Sequence, residues 1–92
     1  MHNAGVNLEF DPDKAEENLR KHGVSFAHAE QALRDPGAVT IEDPDANEEP
    51  RFVTLGMDSL GRILVVTHTP REERTRIISA RKASRSEATQ YA

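Results

Sequence analysis

The main change in the hydrophobic pattern of this chain lies at Pro36-Gly37, where the helical spacing of residues 12–33 gives way to the alternating spacing of strands. Before this point apolar residues recur every three or four positions, which is typical of amphipathic helices, and after it they recur every second position. Short polar connectors separate the later apolar segments, and connections this short favour antiparallel neighbours. The pattern therefore predicts helices that pack on an antiparallel sheet.

The first helix has both of its ends marked in the sequence. Asp11 has a side chain suited to the N-cap, Pro12 has no N–H to lose at the first helical position, and Gly23 follows a basic last turn. The face expected to pack on the sheet carries Ala15, Leu19 and His22. A second helix is predicted after Ser25, with an apolar face of Phe26, Ala29 and Leu33.

Strands are predicted wherever apolar and polar residues alternate. A brief strand covers residues 6–10, and four more cover residues 38–41, 51–57, 62–69 and 75–80. Residues 63–66 are apolar on both faces, which is typical of a central strand. Ser84 and Glu87 have the spacing of a capping box, so a final short helix is predicted to reach Tyr91. The fold class is therefore α+β, in the order β-α-α-β-β-β-β-α.

The size and composition of the chain fit one small domain. We expect a single domain over residues 1–92, with residues 1–5 as a mobile leader. No cysteine is present, so neither disulfides nor thiolate metal sites are possible. The N-terminus lacks the pattern of a secretory signal, and no apolar run approaches the roughly 20 residues that span a bilayer. We therefore expect a soluble, cytoplasmic protein that contacts no membrane.

The charge is distributed unevenly along the chain, although the formal net charge is −4. Residues 1–50 carry four Lys or Arg against twelve Asp or Glu, whereas residues 51–92 carry eight against four. A basic C-terminal half can meet phosphate or an acidic partner, while the acidic half limits non-specific binding to nucleic acid. The alternative is that these charges are ordinary solvated surface charges.

The side chains best suited to chemistry lie on the late strands and in the tail: His68, Arg76, Arg81 and Tyr91. The four histidines lack a metal-ligand spacing, and no glycine-rich phosphate loop is present. Cleavage of RNA without a metal requires a base for the 2′-OH, cations for the phosphate and an acid for the leaving oxygen. Histidine suits proton transfer, and the planar arginine fork suits phosphate. A tyrosine or lysine can replace histidine if nearby cations lower its pKa.

Each candidate also has a purely structural interpretation. His68 at a strand end can be a hydrogen-bonded structural residue, and His22 can oppose the dipole of its helix. Tyr91 can be the apolar anchor of the last helix. Arg76 and Arg81 are five positions apart, so a regular strand would place them on opposite faces. Only a bulge or a strand end between the two arginines would let both reach one site.

Three motifs in register resemble one family. They are Asp11-Pro12-x-Lys14, Asn18-x-x-Lys21-His22-Gly23-Val24-Ser25-Phe26 and Arg76-Ile77-Ile78-Ser79-Ala80-Arg81-Lys82-Ala83. With Asp35-Pro36 and Asp43-Pro44 around the first long strand, the chain from about residue 8 to residue 91 resembles the BrnT toxins. These are small bacterial ribonucleases of the RelE-like superfamily, and a BrnA antitoxin holds them in check.

The resemblance implies a RelE-like fold and a metal-independent endoribonuclease, without a cofactor, that cleaves RNA and arrests translation. It also implies a BrnA-type antitoxin whose ribbon-helix-helix domain binds operator DNA, so that this chain meets DNA only through its partner. Arg76 and Arg81 are then expected on phosphate, His68 or His22 in proton transfer, and Tyr91 in substrate contact. The basic residues expected to bind substrate beside them are Lys21 and Lys82.

Two functions other than the ribonuclease are alternatives for this sequence. A catalytically inert RelE-like module would stabilise an antitoxin and its operator complex without cutting RNA, and the acidic first half favours it. Direct DNA binding by this chain is disfavoured, because no predicted helix carries clustered basic residues. The sequence therefore favours the ribonuclease and keeps the inert module as its alternative.

Overall fold

A computed structural model of the chain describes residues 7–46 and 49–91. Its elements follow the predicted α+β order: β1 Leu8–Glu9, α1 Pro12–His22, α2 Phe26–Leu33, β2 Val39–Glu42, β3 Phe52–Met57, β4 Ile63–Arg71, β5 Arg74–Lys82 and α3 Arg85–Ala88. The leader predicted at residues 1–5 lies outside the described residues. Within the described ranges, no helix is long and apolar enough to cross a membrane.

The five strands form one mixed sheet in the order β1-β5-β4-β3-β2. Strands β2 to β5 are antiparallel to their neighbours, as predicted, and β4 lies at the centre, as its apolar residues indicated. The prediction of a wholly antiparallel sheet needs one correction, because β1 pairs with β5 in parallel. No hairpin joins these two strands, so the argument from short connections did not apply to them.

The hairpin between β4 and β5 is tighter than predicted. Residues 70–74 were expected to be a connector, but β4 continues to Arg71 and β5 begins at Arg74. The turn between them contains Glu72, which has a φ of 58°, in the left-handed region that usually favours glycine. The longer strands extend the β4–β5 pairing towards the turn and bring additional arginines onto the sheet.

Helix α1 begins and ends where its capping residues predicted. The Asp11 side chain accepts from the N–H of Asp13 at 2.9 Å, and Gly23 closes the helix with a φ of 71°. The prediction of its buried face holds for Ala15, which packs against the core, and was wrong for Leu19, which is 49% exposed, and for His22, which is exposed, whereas Asn18 is buried. Asn18 faces the sheet because it hydrogen-bonds to the sheet edge, a contact that apolar periodicity does not detect.

The core lies between the two long helices and one face of the sheet. Its buried apolar residues are Val24, Phe26, Ala29, Ala32, Leu64, Val66, Ile77 and Ala80. Helix α2 lies very close to β3, and a side chain added at Gly56 would overlap the backbone of Ala32. We call the opposite side of the sheet, turned away from α1 and α2, the open face.

Candidate functional site

A bulge interrupts β5 at the position that matters most for the predicted site. Thr67 of β4 pairs with Ser79, but the next residue, His68, pairs with Ile77. Ile78 is therefore an extra residue on β5 that has no partner on β4. One extra residue shifts the alternation of side chains by one position, so side chains before the bulge change face relative to side chains after it.

The bulge places Arg76 and Arg81 on the same face of the sheet. Arg81 lies opposite Val65, and Arg76 lies opposite Thr69, four residues further along β4. Because side chains alternate along a strand, residues four apart share a face. Val65 lines a groove on the open face, whereas its neighbour Leu64 belongs to the core. The bulge that the sequence required for a joint arginine site is therefore present.

Arg76 is held by a carboxylate from the neighbouring parallel strand. Its Nε donates to Oε2 of Glu9 at 3.0 Å, and Glu9 is the residue that pairs with it in β1. Arg74, two positions earlier on the same face, has a terminal nitrogen 4.0 Å from the other oxygen of Glu9. Both side chains of the Arg76–Glu9 pair remain partly exposed, so a phosphate can approach them.

Arg81 is held by a carboxylate from the short C-terminal helix. Its two terminal nitrogens donate to the two oxygens of Glu87, each at 2.8 Å. The bonds from Arg81, together with one from the backbone N–H of Ser84, lower the pKa of Glu87 to about 2. The bonds to Glu87 raise the pKa of Arg81. Glu87 and Ser84 also form the predicted capping box of α3. The ion pair therefore fixes the guanidinium and fastens α3 to β5.

His68 lies on the other face of the sheet from the arginine pair. Its cross-strand partner Ile77 belongs to the core, and its Nε2 is 2.8 Å from the hydroxyl of Thr54. The imidazole stacks on the ring of Phe52 with centroids 6.0 Å apart. Burial lowers the pKa of His68, so the ring is neutral near pH 7. The structure does not bring His68 together with Arg76 and Arg81.

Lys21 and His22 lie beside the bulge, at the outer edge of β5. They border a groove of about 130 Å³ between α1 and β5, which is lined by Lys14, Glu17, Asn18, Lys21, His22, Ile78 and Ser79. Both side chains are exposed at the end of α1. Ile78 and Ser79 lie between Arg76 and Arg81 in the chain, so the groove borders the edge of β5 between the two arginines, on the side of α1 and not on the open face.

Asn18 connects α1 to β5 just beyond the bulge, and the sequence analysis gave it no role. Its side-chain nitrogen donates to the carbonyls of Val24 and Ala80, at 2.9 and 2.8 Å. Its side-chain oxygen accepts from the N–H of Ala80 at 3.1 Å. The amide thus takes the place of a neighbouring strand at this edge. The available signal was its position three residues after Ala15, on the face that meets the sheet.

The side chains of Tyr91 and Lys82 do not join the arginine pair on the open face. The Tyr91 hydroxyl donates to the carboxylate of Asp35, beyond the end of α2, and this contact raises the pKa of Tyr91. The neighbour is an anion, so the condition under which a tyrosine replaces histidine, a pKa lowered by cations, is not met here. Lys82 is exposed at the last position of β5, opposite the core residue Leu64.

A second charged cluster, which the sequence analysis also missed, fixes the turn between β3 and β4. The buried carboxylate of Asp58 accepts from Nδ1 of His28 at 3.0 Å and from Nε of Arg62 at 2.8 Å. Its other oxygen accepts from the N–H groups of Leu60 and Arg62. His28 joins the turn to α2, and the bonds from Leu60 and Arg62 to Asp58 close the turn itself, so we assign the cluster a structural role. In the part of the chain that the structure describes, no three His, Asp or Glu side chains are grouped as metal ligands.

Comparison with known proteins identifies the family. A family model described as the ribonuclease toxin BrnT of type II toxin–antitoxin systems matches residues 10–87. The chain belongs to the BrnT family. The matched range contains both arginines, the bulge, Asn18 and Glu87, and it ends before Tyr91. The resemblance predicted from the three motifs is thus confirmed, and the chain is a toxin of a type II toxin–antitoxin system.

A solved structure supports the same assignment. The chain is similar to the ribonuclease toxin BrnT of Brucella abortus, whose crystal structure was solved at 1.1 Å, with a TM-score of 0.67 and 26% sequence identity. The similarity covers 87% of this chain and 99% of the Brucella chain. A search of curated proteins gave no match. The α+β arrangement of two helices on a five-stranded sheet is therefore that of a BrnT toxin, in a family named for ribonuclease activity.

Proposed function

We propose that this BrnT family member is a metal-independent endoribonuclease that cleaves RNA and arrests translation. Arg76 and Arg81 bind the RNA backbone, and a BrnA-type antitoxin neutralises the enzyme. The observation that carries the proposal is the bulge at Ile78, which places both arginines on the open face of β5. The family description supplies the ribonuclease class, and the arginine pair supplies the chemistry of a phosphate site.

The two arginines are spaced for successive parts of an RNA strand. Their partners on β4 are four residues apart, which corresponds to roughly 13 Å along the strand. Such a distance favours contact with different phosphates, one on each side of the bulge, over joint binding of a single phosphate. The carboxylates of Glu9 and Glu87 orient the guanidinium groups, and the exposed parts of both arginines remain available to RNA.

His22 is the histidine that we propose for proton transfer. In RNA cleavage without a metal, the 2′-oxygen loses its proton and attacks the adjacent phosphorus. The bond to the 5′-oxygen then breaks, and that oxygen takes up a proton. His22 borders the groove that also contains Ser79, at the edge of β5 between the two arginines, and Lys21 adds a positive charge there. His68 lies on the other face of the sheet and is hydrogen-bonded to Thr54, so its position favours a structural role.

The proposed partner is an antitoxin of the BrnA type with a ribbon-helix-helix domain. A type II toxin is paired with a protein antitoxin, and the resemblance to BrnT supplies its type. The operator DNA would be bound by that domain and would meet this chain only through the antitoxin. The acidic first half of this chain supports that arrangement, because it disfavours direct contact with DNA.

The inert binding module remains the second candidate function, and one observation favours it. Arg76 and Arg81 both already have a carboxylate partner, and the Arg81–Glu87 pair is bidentate. If RNA cannot compete with these carboxylates, the open face stays neutralised and the chain binds without cutting. The two functions therefore differ in whether the arginines exchange carboxylate for phosphate.

Inducible expression in a bacterial host tests the proposal. Wild type is expected to arrest growth, and the purified protein should cleave RNA in the presence of a chelator. An Arg76→Ala, Arg81→Ala double variant and a His22→Ala variant, at equal abundance, should do neither. Arg34→Ala is the matched control, because Arg34 is the C-cap residue of α2 and pairs with Glu30.

Each other outcome has a distinct meaning. A folded wild type that neither arrests growth nor cleaves RNA leaves the inert module. Cleavage that the chelator abolishes refutes metal independence. An active double variant refutes the choice of arginines, and an active His22→Ala variant refutes the proton-transfer role of His22.

A further inference from the structure

The outer edge of the sheet is formed by β2, which pairs with β3 on one side. The N–H of Asp43 donates to the carbonyl of Arg51 at 2.8 Å, so this pair belongs to the hydrogen-bonded positions of the ladder. Because such positions alternate, Val39 and Ile41 also bond towards β3, whereas Thr40 and Glu42 direct their N–H and C=O groups outwards. All four residues of β2 are exposed. The edge can therefore accept another strand.

An apolar groove runs along the same edge on the open face. Ile41 is 58% exposed and Val39 is 36% exposed, although both are large apolar residues. With residues of β3, β4 and α3 they line a groove of about 240 Å³, whose members are Val39, Ile41, Val53, Leu55, Val65, Glu87 and Gln90. Apolar surface of this kind next to an open strand edge is typical of sites where an extended segment binds.

The charge around this edge is strongly negative. The exposed strand ends in an acidic residue and is followed by more of them; the group is Glu42, Asp43, Asp45 and Glu49. Among the residues that the structure describes, Asp43 is the member of this group with an ion-pair partner, Arg51. A strand added to β2 would carry side chains on two faces. On the open face they would meet Val39 and Ile41, and on the other face they would meet Thr40 and Glu42.

We infer that β2 and its groove bind an extended protein segment in which apolar residues alternate with basic ones. The apolar side chains pack in the groove, the basic side chains approach Glu42 and the acidic loop, and the backbone pairs with Thr40 and Glu42. That this segment belongs to the antitoxin rests on the proposed function, whereas the chemistry of the surface does not. Glu87 borders the groove and also pairs with Arg81, so the bound segment lies directly beside the arginine site.

The same charges disfavour other occupants. RNA would bring phosphates towards four carboxylates, and these carboxylates repel it. A second copy of this chain, paired through its own β2, would add four more acidic residues, of which Asp43 alone brings an ion-pair partner among the described residues. A basic, apolar segment neutralises the edge and covers its apolar residues at the same time. Charge complementarity therefore selects the protein segment.

Synthetic peptides test this inference with the full-length protein. The probe is a fluorescent octapeptide of alternating valine and lysine. The comparison peptides are its valine–glutamate counterpart and a peptide of the same composition in which valines and lysines form separate blocks. Fluorescence anisotropy should show saturable binding of the alternating valine–lysine peptide, at least about tenfold tighter than binding of the other two.

Two edge variants locate the binding site. Thr40→Pro removes an outward N–H without removing a backbone bond to β3, although it also loses the hydroxyl bond to Thr54, and it should weaken peptide binding at least about tenfold. Thr40→Val is the matched control, because it loses the hydroxyl and keeps the N–H, and it should bind like wild type. Ile41→Glu places a carboxylate in the groove and should also abolish binding. It provides the test of the site if Thr40→Pro does not fold. Folding of each variant is checked by circular dichroism.

The possible results separate this inference from the proposed ribonuclease. Equal binding of all three peptides, or unchanged binding by folded Thr40→Pro and Ile41→Glu, overturns the inference. So does a wild-type dimer in ultracentrifugation that Thr40→Pro dissociates, because the occupant is then a second copy. RNA cleavage by the edge variants should equal that of wild type. If the wild-type protein binds the peptide but does not cleave RNA, the proposed ribonuclease is contradicted and the inference stands.

Discussion

Replacement of Asn18 by alanine should destabilise the protein severely, although Asn18 is a single polar residue on a helix. The substitution removes three hydrogen bonds of 2.8–3.1 Å to the backbone of Val24 and Ala80. Asn18 is 6% exposed, so water does not easily replace these bonds. With about 1 kcal/mol for each bond, and an added cost for backbone groups left unpaired, the loss is about 3–4 kcal/mol.

This loss is large relative to the total stability expected for a 92-residue chain, which is about 5–14 kcal/mol. The midpoint of thermal unfolding should fall by roughly 12–32 °C, since 1 kcal/mol corresponds to about 4–8 °C in a domain of this size. Urea unfolding followed by circular dichroism measures the free energy directly. Asn7→Ala is the matched control, because the side chain of Asn7 is exposed, and its effect should stay within about 0.5 kcal/mol.

The refuting result is a small effect. If Asn18→Ala lowers the free energy of unfolding by less than about 1 kcal/mol, the amide does not act as the neighbour of β5 at this edge. Asn18→Asp adds a second check on the reasoning. It keeps an acceptor for the N–H of Ala80 but sets a carboxylate against two carbonyl oxygens, so it should be at least as destabilising as alanine.

Three further substitutions have defined expectations. Gly56→Ala should destabilise by about 1–3 kcal/mol in urea unfolding, because the new methyl group overlaps the backbone of Ala32, and a neutral effect would contradict the close packing of α2. Glu72→Gly should stabilise by about 0.5–1 kcal/mol, since glycine tolerates the φ of 58°; a lower thermal midpoint would refute this. The contact with Arg81 holds the pKa of Glu87 at about 2, below its ordinary 4.5. The ion pair therefore stabilises the folded protein by an amount on the order of 1 kcal/mol after solvent screening. This stabilisation is present above pH 4.5 and is lost as the pH falls towards 2. The difference in stability between wild type and Glu87→Gln should shrink over that range, and a difference independent of pH would refute the assignment.

The helices could be predicted because their signals are local. The N-caps lie next to the turns that they stabilise: Asp11 accepts from the N–H of Asp13, and Ser25 accepts from the N–H of His28. Gly23 has the left-handed conformation that a helix end favours. In each case the partner is at most four residues away, so the local sequence contains the whole interaction.

The bulge was only partly predictable. A site shared by Arg76 and Arg81 required a bulge between them, but the location of the bulge depends on the register of β5 against β4. The adjacent isoleucines Ile77 and Ile78 are a local sign of it. A regular strand would point one of them to each face, whereas here Ile77 enters the core and Ile78 lies in the groove at the strand edge.

The contacts that decide the site were beyond the sequence, because they join distant residues. Glu9 and Arg76 are 67 positions apart, and Asp35 and Tyr91 are 56 apart. Their proximity follows from the parallel pairing of β1 with β5 and from the path of the tail past α2. His68 was a reasonable candidate by residue type, but the register that assigns it to the core-facing side of β4 is not visible in its neighbours.

The central claim is that Arg76 and Arg81 together contact RNA phosphates from the open face. The salt dependence of binding to a short single-stranded RNA tests it most directly, because each phosphate contact adds about 0.7 to the slope of log K against log salt. The Arg76→Ala, Arg81→Ala variant should lose about 1.4 from the wild-type slope. Arg34→Ala, at the C-cap of α2, should lose nothing. A double variant with the wild-type slope would contradict the claim, whatever its activity.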